Sequence, residues 1–249
     1  MGEVIAVLSG KGGTGKTSIC AGIATCLARE GKRVLCIDLD VGLRNLDIAL
    51  GMQDVPALAF TEVFAGGFDL SAAAVHPRLP GLSFLTAPVG LRPEEVDREG
   101  FFRLMSRARE QFDYCMIDAP AGLGTGFQLA AREADRVILV TAGEPAALRD
   151  AARTAEVLEL MGKSWVRLAV NRVRPELYET MSLTVDDVMD GVGLPLLGIV
   201  PEDRNVTLAA AFGSALIFTT RRGAAAACRR MALRLMGVRT LIPKIKRKF

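Results

Sequence analysis

Eight residues, Gly10-Lys11-Gly12-Gly13-Thr14-Gly15-Lys16-Thr17, constrain this chain more than any other stretch. They match GxxxxGK[ST] at every fixed position, follow the apolar run Val4 to Leu8, and precede a helical pattern that starts near Ser18. A buried strand, a glycine-rich loop and a helix N-terminus in that order form a phosphate cradle, because unpaired N–H groups and the helix dipole favour an anion there. The glycines admit positive φ and let amides turn inward. Lys16 is expected to reach the β- and γ-phosphates of a nucleotide, and Thr17 to offer its hydroxyl to Mg²⁺.

The rest of the chain reads as the scaffold such a loop needs. Ser18 to Arg29 carries small and apolar residues at helical spacing and is closed by Gly31 as a C′ glycine. Val34 to Ile37 is a short continuous apolar run, the pattern of a strand buried on both faces, and its carboxyl end delivers Asp38 and Asp40. Ligands of open α/β sheets bind outside the carboxyl ends of strands, which makes both carboxylates candidates for metal and water work. Tyr114 to Ile117 is a second such run and ends in Asp118, placed to serve Mg²⁺ beside the cradle. Further strands are predicted at Leu82 to Leu85, Asp135 to Thr141, Trp165 to Val170 and Leu196 to Val200. Helices are predicted at Phe60 to Phe64, at Phe101 to Gln111 with Phe102, Met105 and Ala108 on the inner stripe, and from Gly223 to about Met236. The fold class is therefore α/β: a P-loop NTPase with a doubly wound, mostly parallel sheet and helices on both faces. Residues 1–239 form one domain and 240–249 a short amphipathic tail.

Composition narrows the chemistry by exclusion. The longest apolar runs fall short of the about 18 residues that cross a bilayer, and the N-terminus enters a strand without the pattern of a signal peptide. Cys20, Cys26, Cys36, Cys115 and Cys228 are odd in number and lack a CxxC pair, so they read as small core residues rather than a disulfide framework or zinc site. His76, the one histidine, precedes Pro77 in what reads as a polar loop, and this argues against a histidine metal site or triad. The net charge of +3 hides a division. Eleven of the 31 basic residues and none of the 28 acidic ones lie from Arg204 onward, so the body before it has a net charge of −8. A basic tail on an acidic body points to an anionic partner, lipid or nucleic acid.

The second lysine in the cradle, Lys11 of GKGGTGKT, resembles the signature of the deviant Walker A ATPases, the MinD/ParA family. The resemblance implies an ATP-dependent homodimer in which Lys11 reaches across to the partner subunit's phosphates. The run IDLDVGLRNLDIAL, Ile37 to Leu50, is similar to the MinD branch, as are DAPAG from Asp118 to Gly122 and the stretch Met181 to Val188. By that likeness Asp40 holds the attacking water, Asp38 and Asp118 bind water on Mg²⁺, Gly42 to Asp47 form a first switch loop, and Gly122 senses the γ-phosphate. It also implies that Asn171-Arg172 contacts adenine, that Pro201-Glu202-Asp203 closes over the base, and that Gly10 through Ser18 hold the phosphates. The catalytic set is then Lys11, Lys16 and Asp40, with ATP or ADP and Mg²⁺ as ligands. One segment departs from the branch: Gly143-Glu144-Pro145-Ala146-Ala147 stands where the usual order is Pro then Glu followed by two serines. Contacts made through those hydroxyls are altered.

In the closing sequence GVRTLIPKIKRKF, helical spacing gathers Leu241, Ile242, Ile245 and Phe249 on one face, with Lys244, Lys246, Arg247 and Lys248 on the others. Such a foot lies on an anionic membrane and is too short to be helical alone in water. Each apolar side chain offers about 1.5 to 3 kcal/mol and each basic one about 1 kcal/mol, largely offset by ordering roughly ten residues. One foot binds weakly; two in a dimer gain by effective concentration. The resemblance thus implies a slow ATPase that places the division septum. It would be cytoplasmic, resting peripherally on the inner face of the membrane when ATP-bound, with a MinC-like inhibitor as output and a MinE-like or other activator. Nucleic acid is the less favoured partner. The alternative output is regulation of flagellar number or chromosome partition.

Overall fold

The computed structural model describes residues 1–64, 67–181 and 183–242. In chain order the elements are β1 (Glu3–Leu8), α1 (Lys16–Arg29), β2 (Val34–Asp38), α2 (Leu46–Leu50), α3 (Phe60–Phe64), β3 (Ala74–His76), β4 (Leu79–Leu85), α4 (Arg98–Gln111), β5 (Tyr114–Asp118) and α5 (Thr125–Glu133). They continue with β6 (Arg136–Ala142), α6 (Pro145–Leu160), β7 (Val166–Val173), α7 (Pro175–Thr180), α8 (Val185–Val192), β8 (Leu196–Pro201), α9 (Arg204–Ala211), α10 (Leu216–Thr219) and α11 (Gly223–Leu235). Among the described residues the strands form one sheet in the order β3-β4-β2-β5-β1-β6-β7-β8, parallel throughout except for the β3–β4 pair at one edge.

Alternate residues of each central strand feed opposite cores, which is why the runs are continuously apolar. Val4, Ala6 and Leu8 of β1 pack with Phe101, Phe127, Leu158 and Val188, so α3, α4, α5, α6 and α8 cover that face. Ile5 and Val7 pack with Ile23, Leu27, Leu50, Met231 and Leu235, so α1, α2, α10 and α11 cover the other. All five cysteines are buried thiols within these layers, and burial pushes Cys26 and Cys115 up to about 12.

Two sequence expectations are corrected. Helix α4 begins at Arg98 and buries Phe101, Leu104, Met105 and Ala108, the i, i+3, i+4, i+7 set, whereas Phe102 is 52% exposed. Phe102 lies 100° round the helix from the residue that leads the stripe. His76 is not in a polar loop. It ends β3 at 2% exposure, its Nε2 lies 3.0 Å from the Leu50 carbonyl, and its Nδ1 accepts the Arg78 N–H at 3.0 Å. An antiparallel edge strand carries too little periodicity in three residues to be read in advance.

Candidate nucleotide site

The site is built where β1, β5 and β2 end side by side. In register, Val7 pairs with Asp118 and Asp118 pairs with Asp38, so both carboxylates share one row across neighbouring strands. β1 ends at Leu8, one residue beyond that row, and the glycine-rich loop begins at Gly10. Gly13 and Gly15 take φ of +81° and +84°, the left-handed region in which a side chain is strained, and Gly15 is the N-cap of α1. A Cβ at Gly15 would stand 2.2 Å from Asn171 Nδ2, which itself donates to the Thr14 carbonyl at 2.7 Å. Asn171 thus braces the loop from the end of β7 as well as lining the cleft behind it.

Lys16 Nζ donates to Asp118 Oδ1 at 2.9 Å, and the side chains are 7% and 2% exposed. Burial raises Asp118 above the ordinary carboxylate range, countered first by the Lys16 ammonium and then by the neighbouring Thr17 hydroxyl. Asp38 is pushed up to about 7, first by burial and then by the charge of Asp118. Its two oxygens accept the backbone N–H groups of Asp40 at 2.9 Å and Leu46 at 3.1 Å, so the segment expected to form the first switch loop is strung across this carboxylate. Leu46 and Asp47, expected in that loop, already belong to α2.

The donor set tests whether Mg²⁺ fits. Of two adjacent buried carboxylates only Asp118 is paired with an ammonium, Asp38 has backbone N–H partners alone, and the Thr17 hydroxyl stands beside Asp118. Mg²⁺ is characteristically held by one or two carboxylates together with phosphate oxygens and water, and this set suits it. Thr14 Oγ1 in the cradle is buried and has no partner within the protein, a polar atom left for the ligand side to satisfy.

Behind the cradle lies a cavity of about 100 Å³ lined by Gly15, Ser18, Asn171, Arg172, Pro201, Glu202 and Asp203, together with apolar side chains such as Ile19 and Val206. The residues assigned to the base are therefore brought to one cleft. Their side chains have structural duties too. Asp203 caps two helices, accepting the N–H of Asn205 at 2.9 Å and of Ala224 at 3.0 Å. Glu202 pairs with Arg174. Arg172 is exposed and takes a φ of +53°.

Lys11 is exposed and makes no ion pair among the described residues. Asp40, half-buried, accepts the Leu43 and Arg44 N–H groups at its carbonyl. Gly122 donates its N–H to the Ser9 carbonyl at 3.0 Å, tying the DAPAG segment to the loop. Sequence reasoning missed Arg44, whose φ is +48° and whose guanidinium donates to the Thr86 hydroxyl at 3.1 and 3.2 Å. It also missed Tyr178, whose ring occupies the space a Cβ at Gly143 would need, 2.3 Å from the hydroxyl oxygen. Nothing local announces the Arg44 bond; the Gly143 departure was the available signal for Tyr178.

The model of the CobQ/CobB/MinD/ParA nucleotide binding domain matches residues 5–217. The putative septum site-determining protein MinD of Nephroselmis olivacea is 40% identical over 218 residues, 86% of this chain and 80% of that protein. The fold is similar to the MinC:MinD cell division protein complex of Aquifex aeolicus, with TM-score 0.89, 33% identity and coverage of 97% and 98% of the two chains. It is also similar to MinD complexed with Mg-ADP from Pyrococcus horikoshii, with TM-score 0.80, 26% identity and coverage of 94% and 96%. On the cradle with its second lysine, the paired strand-end carboxylates and these likenesses, the chain belongs to the MinD branch of the MinD/ParA nucleotide-binding family.

Proposed function

We propose that this chain is a division-site ATPase that dimerises on ATP and rests on an anionic membrane through its C-terminal residues while it helps place the septum. The observation that carries the reading is the pair of lysines in one loop: Lys16 is buried on Asp118, and Lys11 stands exposed without an ion-pair partner among the described residues. Lys16 can exchange Asp118 for the phosphates of its own chain. Lys11 is free to serve those of a second copy.

Hydrolysis is attack of water on the γ-phosphorus, with loss of ADP as leaving group. Asp40 orients that water from the loop strung on Asp38. Lys16 in its own chain and Lys11 from the partner stabilise the charge on the transferring group, where preorganised cations are worth most. Thr17, with Asp38 and Asp118 through water, would hold Mg²⁺, which neutralises phosphate charge. Release of the γ-phosphate frees Gly122 and the first switch loop, and the dimer lets go. Turnover is slow until an activator of MinE type completes the site. The Aquifex relative is solved with MinC, and a MinC-like inhibitor is the output partner proposed here.

Among the described residues no helix is long and apolar enough to cross a membrane. The proposed foot, residues 240–249, falls mostly outside the described residues, of which Leu241 and Ile242 are the last and are both exposed. The test is sedimentation with anionic liposomes in ADP and in ATP under non-hydrolysing conditions. The intact chain should pellet with ATP, and Lys11→Ala and a chain ending at Thr240 should stay in solution. An intact chain that stays in solution with either nucleotide, and binds DNA in a salt-sensitive way instead, would replace this output with the partition role.

A further inference from the structure

The end of α11 is tied down in a way that the nucleotide site does not require. After Leu235 the chain turns back on itself: Gly237, at φ +83°, donates to the Arg234 carbonyl at 3.0 Å, and Val238 donates to Leu233 at 2.9 Å. Arg136 donates to the Leu235 carbonyl at 2.9 Å and pairs with Glu3 at 2.7 Å, which fixes the helix terminus to the start of the sheet. Arg234 then uses three nitrogens on two strands of chain. Nε donates to Thr240 Oγ1 at 2.9 Å, Nη2 to the Thr240 carbonyl at 2.8 Å, and Nη1 to the Leu197 carbonyl in β8. A guanidinium fork suits this task because its donors are fixed in one plane, so both acceptors are held in register.

The place matters. Leu197 is the second residue of β8, so the clamp sits at the amino ends of the strands, whereas Asp38, Asp118 and Asn171 stand at or near carboxyl ends. A six-residue strand separates those ends by about 20 Å. Residues after Thr240 therefore leave from the end of the body away from the nucleotide, with the exposed residues 237–239 held between the turn after α11 and the clamp on Thr240. We propose that Arg234 is a positioning residue: its clamp on Thr240 fixes where the membrane foot begins and removes slack from the tether. This rests on the membrane reading given above. In a dimer the clamp sets the effective concentration of the second foot, which falls as about the −3/2 power of tether length. Freeing up to five more residues per chain lowers it about two- to fourfold.

The experiment uses the full chain, with Arg234→Met, Arg234→Lys and Thr240→Ser, the last keeping both acceptors. Limited trypsin digestion is followed by mass spectrometry of the species that ends at Arg239. Liposome sedimentation is run in ADP and in non-hydrolysed ATP. Both Arg234 variants should release that species at least tenfold faster. They should also need about two- to fourfold more lipid for half pelleting in ATP, with weak binding in ADP and ATP hydrolysis unchanged and the melting temperature only slightly lowered by the lost bonds, and Thr240→Ser should match the parent. A merely structural role would lower the melting temperature and either leave lipid binding in ATP as in the parent or weaken both nucleotide states together. If the parent pellets with ATP and the Arg234 variants need no more lipid, the clamp does not position the foot. If the parent itself fails to pellet, the membrane reading fails first, and this inference with it.

Discussion

Removing Lys16 by Lys16→Met strips Asp118 of its ammonium partner while Asp38 stands beside it in the same row. Breaking a buried pair in this way typically costs about 3 to 5 kcal/mol, because the remaining charge is uncompensated. For a chain of this size each kcal/mol moves the melting temperature by about 2 to 4 °C, so the variant should melt ~10 °C below the parent at pH 8 without nucleotide. The deficit should depend on pH with a definite sign. Asp38 has a folded pKa of about 7 against 3.8 when unfolded, and Asp118 is raised in the same direction. Such groups bind protons more readily in the folded state, so their stabilising contribution is complete below about pH 4 and is lost as pH rises through 7. Without Lys16, Asp118 loses the cation that holds it down and rises further. The variant should therefore recover most of its deficit at pH 5.5. Circular dichroism melts of both proteins at the two pH values decide the matter. An equal drop at both would mean lost packing, not unmatched carboxylates, and no drop at pH 8 would refute the electrostatic account.

Four other variants have definite expected outcomes. Asp40→Ala should bind ATP as the parent does and release phosphate about 10² to 10³-fold more slowly, measured with an activator-independent phosphate assay. Gly15→Ala should lose nucleotide binding in a titration with a fluorescent ATP analogue, since its Cβ would strike Asn171 Nδ2 at 2.2 Å and its φ of +84° disfavours any side chain. Tyr178→Phe removes a buried hydroxyl that has no partner and should leave stability unchanged or raise it by about 1 kcal/mol, whereas Gly143→Ala, whose Cβ would meet that ring, should lower the melting temperature.

Much of the site was legible because its information is local. A cradle between a strand and a helix is eight contiguous residues, and a carboxylate after an apolar run is placed at a strand end by the run itself. Asp38 and Asp118 were assigned for that reason, and the sheet sets them in one register. Asn171, Pro201, Glu202 and Asp203 were assigned only through resemblance, and they line one cleft. What could not be read is what each side chain does besides facing that cleft. Asp203 also holds the start of α11, and Asn171 braces the cradle, and partners more than 20 residues away in sequence leave no trace in local spacing.

The sequence by itself determined the α/β class, the parallel core strands and the loop that takes a phosphate, since each follows from periodicity or a motif within about ten residues. Only the tertiary structure decided that β5 inserts between β1 and β2, so that Asp118 meets both Lys16 and Asp38. It alone put Phe101 rather than Phe102 in the core, buried His76 against Leu50, and fastened Thr240 to Arg234. These are choices among neighbours distant in sequence, and they are settled by which crossovers close the sheet and which polar groups burial leaves in need of a partner.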